Sequence, residues 1–166
     1  GTVTDRDGDA VTYCREEFDL GPGGPPDAPS GNAPIFRPFK PKTSPIRWFP
    51  KPQDVRNNVH TIGELLPSYT RTLNFRLVAR DNLGGVAWNA TSFNVDGNSG
   101  PFLVTSIGAT PWDAGFPRTI TWDVAGTDIA PVLCPTVDIT LSTDDGFTFN
   151  TVLLATLDER DFVIRG

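Results

Sequence analysis

The chain of 166 residues has little of the material that most enzymes use for catalysis. It contains no methionine, one histidine (His60) and two cysteines, Cys14 and Cys134, which form either a disulfide or two buried free thiols. One histidine and two distant cysteines do not make a standard zinc site, and the motifs H-E-x-x-H and G-x-S-x-G are absent. We therefore predict a non-catalytic chain without zinc, in which His60 is an ordinary surface residue.

Long apolar runs and helical periodicity are also missing. No run of about 18 apolar residues occurs, so we expect no membrane insertion. The 16 glycines and 16 prolines interrupt the chain, and no stripe of helical spacing is present, which excludes a helical bundle. The net charge of −6 belongs entirely to residues 98–166, because residues 1–97 carry 11 acidic and 11 basic side chains. An acidic chain repels phosphates, so we expect no nucleic-acid partner.

Strand-like segments recur along the chain, with turn residues between them. Residues 72–80 alternate between apolar and polar, and the turn at 81–85 leads to a partner strand at 86–95. The segment D-G-N-S-G-P at 96–101 is the best domain boundary. We predict an all-β fold of two tandem immunoglobulin-like or fibronectin-III-like β-sandwich domains, 1–97 and 98–166. The second has about five strands, against about seven in a complete sandwich, which leaves open that it is incomplete.

A proline-rich insertion is expected at residues 21–53 of the first domain. Ten of the 16 prolines lie between positions 22 and 52, so this stretch cannot be a central strand. Four aromatic residues lie among its lysines and arginines: Phe36, Phe39, Trp48 and Phe49. Such a mixture is typical of surfaces that bind sugars or single strands. The same aromatics would also anchor the insertion to its own domain, and the sequence leaves both interpretations open.

A group of aspartates near the start of the chain is a candidate calcium site. Asp5, Asp7 and Asp9 follow the pattern D-x-D-G-D, and Asp19 and Asp81 would add ligands if the fold brings them back. Calcium takes six to eight oxygen ligands, which alternating carboxylates can supply. A tight turn, in which aspartates accept bonds from their own backbone, uses the same residues. Calcium is therefore a possible cofactor, with the simple turn as the alternative.

A second motif lies near the C-terminal end. Residues 142–149 match S-x-D-x-G-x-T-F, the pattern of the Asp-box hairpin, with Ser142, Asp144, Gly146 and Phe149 at the defining positions. We expect Asp144 to accept N–H bonds within the turn and Phe149 to pack beneath it. This role is structural, since the motif is a folding device in the families that carry it.

Several stretches together resemble one protein family. They are Y-C-R-E-E-F-D-L-G-P (13–22), S-G-N-A-P-I-F-R (30–37), R-T-L-N-F-R (71–76), D-G-N-S-G-P-F (96–102) and T-I-T-W-D-V-A-G-T (119–127). They look like the non-catalytic region that follows the catalytic domain in secreted, reprolysin-like zinc metalloproteases of Bacteroidetes and related bacteria. The opening segment is also similar to the D-x-D-G-D-x-[LV]-x-Y signature of bacterial cadherin-like repeats, in which the aspartates can hold calcium.

This resemblance implies a secreted or cell-surface protein whose catalytic domain and zinc lie outside this chain. It implies immunoglobulin-like or fibronectin-like modules, and it transfers no catalytic residue. We expect an accessory module that serves as spacer, stabiliser or binding module, with the parent catalytic domain and an extracellular protein or polysaccharide as partners. The alternatives are a calcium-rigidified adhesion module and a polysaccharide-binding module.

Overall fold

The computed structural model describes residues 3–106, 118–144, 148–157 and 161–164, and the chain divides into two compact units, Gly1–Gly97 and Asn98–Gly166. The division falls within the turn-rich segment 96–101, where the sequence predicts a boundary. At Gly97 the backbone lies so close to the preceding segment that an added Cβ would be 2.5 Å from the Thr70 nitrogen. The Gly97 N–H donates to Thr70 Oγ1 at 2.9 Å, which holds this approach in place.

The first unit is built on a three-stranded antiparallel sheet. Its strands, in the order β1-β2-β3, are β1 (Thr12–Glu17), β2 (Arg71–Arg80) and β3 (Val86–Val95). The predicted strands at 72–80 and 86–95 are confirmed. Asp81 holds the hairpin between them, because its Oδ1 accepts the N–H groups of Leu83 and Gly85 at 2.7 and 2.8 Å.

Residues 18–70 connect β1 to β2 and supply much of the core of this unit. The connection contains one short helix, α1 (Pro52–Arg56), and is longer than the predicted insertion. Isolated backbone bridges join Phe36 to Glu64, and Lys42 to Tyr13 of β1. The core consists of buried residues Ile35, Phe36 and Leu73 with four partly buried neighbours: Phe49, Leu65, Phe75 and Val95. The prediction that aromatics anchor this segment is confirmed for Phe36 and Phe49.

The second unit contains two small antiparallel sheets. One has the order β4-β5-β8 and the other pairs β6 with β7. The strands are β4 (Leu103–Val104), β5 (Arg118–Asp123), β6 (Thr136–Leu141), β7 (Thr151–Leu157) and β8 (Asp161–Ile164). Trp122 of β5 is buried, and its ring stacks on Phe102 at a centroid distance of 6.5 Å.

Among the described residues, antiparallel strands therefore make up nearly all of the regular secondary structure, which is consistent with the all-β prediction. The helix α1 has five residues. Across the described ranges, no helix is long and apolar enough to cross a membrane.

Candidate binding site

The predicted calcium ligands lie at two different ends of the β1–β2 pair. Asp5 and Asp81 line one small cavity of about 140 Å³ near the start of β1. Asp19 follows the other end of β1, about 20 Å away for a strand of six residues. The structure therefore does not bring Asp19 to the other aspartates. In the described ranges, no three His, Cys, Asp or Glu side chains are grouped so that they could hold a metal ion.

Asp5 performs the role expected of an aspartate in a tight turn. Its Oδ1 accepts the backbone N–H groups of Asp7 and Asp9 at 2.9 and 3.0 Å. The N–H of Asp9 in particular lowers the pKa of the Asp5 carboxyl. The carboxylates of Asp5 and Asp81 are thus both acceptors for turn backbone, which is the alternative that the sequence left open beside calcium.

Asp19 belongs to a buried ionic network with Glu17 and Arg71. Arg71 Nη2 lies 3.2 Å from Glu17 Oε1 and 3.3 Å from Asp19 Oδ2, and all three side chains are almost fully buried. Glu17 Oε2 also accepts two successive N–H groups of the connecting segment at 2.7 and 2.6 Å. Burial raises the pKa of Glu17 to about 7, and the neighbouring Asp19 acts in the same direction. The network joins the end of β1 to the start of β2 and to the segment that carries Phe36.

The Asp-box residues lie in the connection between β6 and β7. Asp144 Oδ1 accepts the N–H of Thr148 at 2.8 Å, and its Oδ2 accepts the Thr148 hydroxyl at 2.6 Å. Ser142 Oγ donates to Asp144 Oδ1 at 2.7 Å, whereas Gly146 lies outside the described residues. Phe149 is 57% exposed, and the turn beneath which it is expected to pack includes residues 145–147, which lie outside the described residues.

The two cysteines are free thiols, and only one of them is partly buried. Cys14 Sγ donates to the Phe39 carbonyl at 3.4 Å, and burial raises the pKa of this thiol. Cys134 is exposed, which corrects the prediction of two buried thiols. His60 is also exposed, as predicted.

The four aromatic residues of the insertion have different environments. Phe36 is 4% exposed and packs edge-on against Phe49 at a centroid distance of 5.2 Å. This burial makes Phe36 mainly a core residue, although it also lines an adjoining groove. Phe39 and Phe49 are half-buried, and Trp48 is 68% exposed. Of the four, Trp48 therefore presents the largest fraction of its surface to a ligand.

Arg47 fixes the position of Trp48 and its neighbours. Its guanidinium lies between the rings of Phe39 and Phe49, 4.0 and 4.1 Å from their centroids. The same group pairs with Glu64 at 2.7 Å and donates to two backbone carbonyl groups, one on β1 and one in the insertion. An arginine held by stacking and by hydrogen bonds in several directions has little rotational freedom. The loop on either side of Trp48 is therefore held firmly against the sheet.

A large groove lies between this loop and the sheet. Its volume is about 650 Å³, and its lining is mainly apolar. We call it the apolar groove; among the residues that line it are Leu73, Phe75 and Leu77 of β2, Phe93 of β3, Trp48, Phe49 and Leu66 of the connecting segment, and Arg15, Arg47 and Arg76. The alternation of β2 places its three residues on one face of the sheet, and Phe93 lies directly opposite Leu73 in the register. The connecting segment covers part of this face, while β3 is exposed from Val86 to Asn94.

Sequence reasoning missed the lining residues that come from the sheet. The alternation of Leu73, Phe75 and Leu77 predicts that one face of β2 is buried. It does not predict that part of this face is left uncovered. Phe93 was missed as well, because its place in the groove depends on how much of the sheet face the connecting segment covers. The recognisable signal was Trp48, an aromatic residue between basic side chains. No protein-family model, curated protein or solved structure matches the chain, so the apolar groove and its chemistry are the basis for assigning a function.

Proposed function

We propose that the chain is a non-catalytic accessory region of a secreted, metalloprotease-like protein, with two immunoglobulin-like units, and that the first unit binds extended polypeptide. The resemblance of five stretches supports the family and the location outside the cell. The single histidine, His60, and the lack of nucleophile motifs support the non-catalytic role. The observation that carries the binding role is the apolar groove of about 650 Å³.

The chemistry of the groove favours polypeptide over polysaccharide. Leucine and phenylalanine are the commonest residues in the lining, and they match the apolar side chains of a protein. A sugar chain would need many hydrogen-bonding groups for its hydroxyls. The polar lining residues are Asn89, Thr91 and three arginines, and two of these arginines already pair with carboxylates of the chain. The volume of the groove also lies within the range of about 300–1,000 Å³ that is typical of ligand sites.

The edge of the sheet beside the groove supports the same ligand. Within the part of the chain that the structure describes, β3 pairs with β2 and with no other strand. Its ten residues therefore offer backbone N–H and C=O groups along the outer edge. An extended peptide can add to such an edge as a further strand while alternate side chains enter a neighbouring pocket.

The test uses a soluble, neutral peptide that alternates leucine or phenylalanine with serine. Binding to the full chain is followed by isothermal calorimetry and by tryptophan fluorescence, since Trp48 lines the groove. We expect Phe93→Ala and Trp48→Ala each to weaken binding about tenfold, because an aromatic contact in an interface contributes about 1–2 kcal/mol.

Trp88 provides a matched control on the same strand. It is exposed like Phe93 but, being an odd number of residues away, projects from the opposite face of β3. Trp88→Ala should leave peptide binding unchanged. Absence of binding, or equal losses for the Trp88 and Phe93 variants, would contradict the binding role and leave the spacer or stabiliser role.

A further inference from the structure

A second, smaller cavity adjoins the apolar groove and has the opposite chemical character. Its volume is about 200 Å³, and it is lined by residues of β1 and of the insertion. Five of the lining residues are basic, and none is acidic: Arg15, Lys40, Lys42, Arg47 and Lys51. We call this the basic cavity. Its charge is a local feature of the molecule, because the chain as a whole has a net charge of −6.

Carboxylates of the described residues neutralise little of this positive charge. Arg47 pairs with Glu64 at 2.7 Å. The other four basic residues of the cavity have no ion-pair partner among the described residues. Charges of one sign that line a concave site concentrate their field there and attract a ligand of the opposite sign.

The cavity is also built into the fold. The backbone of Lys42 is paired with Tyr13 of β1 through two hydrogen bonds of 2.7 and 2.9 Å. Lys51 Nζ lies 5.2 Å from the centroid of the Phe39 ring, and Arg15 Nε donates to the Pro45 carbonyl. The side chains therefore start from fixed backbone positions around one opening.

The basic cavity and the apolar groove share three lining residues: Arg15, Arg47 and Trp48. A chain that crosses the groove from the β3 side to Arg15 of β1 therefore reaches the cavity. The volume of about 200 Å³ suits one side chain, since sites for whole small molecules usually measure about 300–1,000 Å³. We propose that the basic cavity binds an acidic side chain of the same polypeptide whose apolar side chains occupy the groove. The inference rests on the proposed function and specifies its ligand as polypeptide that combines apolar and acidic residues.

The test compares three probes on the full chain. They are the neutral leucine/phenylalanine/serine peptide, the same peptide with glutamate in place of some serines, and heparin as a sulfated polysaccharide. We expect the glutamate peptide to bind at least about tenfold more tightly than the neutral one at low ionic strength, since charge-assisted hydrogen bonds are the stronger kind. The advantage should decrease as salt is added, because the lysines are accessible to solvent.

Variants assign this advantage to the cavity. Lys40→Gln with Lys42→Gln should remove it while leaving affinity for the neutral peptide unchanged, which also shows that the groove is intact. Lys51→Gln is a second, independent variant. Arg80→Gln is the matched control, because Arg80 is an exposed cation on β2 that lines neither the groove nor the cavity.

Each outcome is decisive. Equal binding of the neutral and glutamate peptides overturns the inference and leaves the proposed function standing. Failure of both peptides to bind overturns the proposed function itself. Tight binding of heparin without any advantage for the glutamate peptide overturns the inference in favour of a polysaccharide. An Arg80→Gln variant that loses the advantage as fully as the lysine variants also overturns it, because overall charge would then be responsible.

Discussion

Two ion pairs in the first unit have the same length and very different burial. Arg47–Glu64 and Arg76–Glu16 both measure 2.7 Å. The side chains of the first pair are 9% and 0% exposed, and those of the second are 38% and 23% exposed. Replacing each arginine with methionine, which keeps an unbranched apolar stem, therefore tests how far burial determines what an ion pair contributes to stability.

The two substitutions are expected to lower the free energy of unfolding by amounts that differ several-fold. Arg47→Met leaves the Glu64 carboxylate buried without its cation, for which about 3–5 kcal/mol of destabilisation is typical. Loss of stacking on two aromatic rings adds to this, whereas the Lys51 N–H that Glu64 still accepts at 3.0 Å moderates it. Arg76→Met removes a partly exposed pair and should lower the free energy of unfolding by about 0–1 kcal/mol.

The assay is urea unfolding of the full chain, with hydrogen exchange measured on peptides that cover β2 so that the signal belongs to the first unit. Adding Glu64→Gln to the Arg47→Met variant should recover part of the loss, because the uncompensated charge is removed. The reasoning would be refuted if the two arginine variants lost the same free energy of unfolding to within about 1 kcal/mol. Failure of Glu64→Gln to recover any stability would assign the loss to packing.

Three further predictions concern pH, the hairpin turn and the unit boundary. Because burial raises the pKa of Glu17 from 4.5 to about 7, the folded protein holds a proton that the unfolded chain releases between these values. The free energy of unfolding should therefore fall as pH rises through this window, by at most about 1.4 kcal/mol per pH unit, and an equally steep fall in Glu17→Gln would contradict this. Asp81→Ala removes the acceptor of two hairpin N–H groups. It should lower the free energy of unfolding by about 1 kcal/mol, equally with calcium and with chelator. A loss of stability seen only with calcium would instead support Asp81 as a calcium ligand. Gly97→Ala, whose Cβ would lie 2.5 Å from the Thr70 nitrogen, should destabilise the protein by about 1–3 kcal/mol. Gly23→Ala is the control, because a Cβ at this position meets no atom within 4 Å and should not destabilise the protein. Equal unfolding midpoints for the two glycine variants would contradict the prediction.

The strands were predictable from sequence because their signals are local. The alternation of residues 72–80 and the turn that follows determine both strands of the β2–β3 hairpin, and the register follows from the short connection. The turn role of Asp81 is equally local, since the groups it bonds are two and four residues away. Contacts between residues that are close in sequence can be predicted without knowing how the rest of the chain folds.

The buried charges could not be predicted in the same way. Glu17, Glu64 and Arg71 are residue types that usually lie at the surface, and each is buried here because of a partner far along the chain. The different positions of Phe36 and Trp48 have the same origin. Phe36 is drawn into the core where its backbone bridges to Glu64, while Trp48 follows an arginine that is held between two rings. Neither contact has a signature in the neighbouring sequence.

The proline content of the insertion accounts for the open groove. Ten prolines between positions 22 and 52 remove the backbone donors that a second hydrogen-bonded sheet would need. The segment is instead attached to β1 by hydrogen bonds at separate points: Glu17 Oε2 accepts two of its N–H groups, and Arg47 donates to the Arg15 carbonyl. A segment attached at a few points covers only part of the sheet, whereas a second layer of paired strands would cover it fully. As a result, β3 is exposed from Val86 to Asn94. The same prolines that exclude a second strand layer therefore explain why an apolar face beside β3 is open to a ligand.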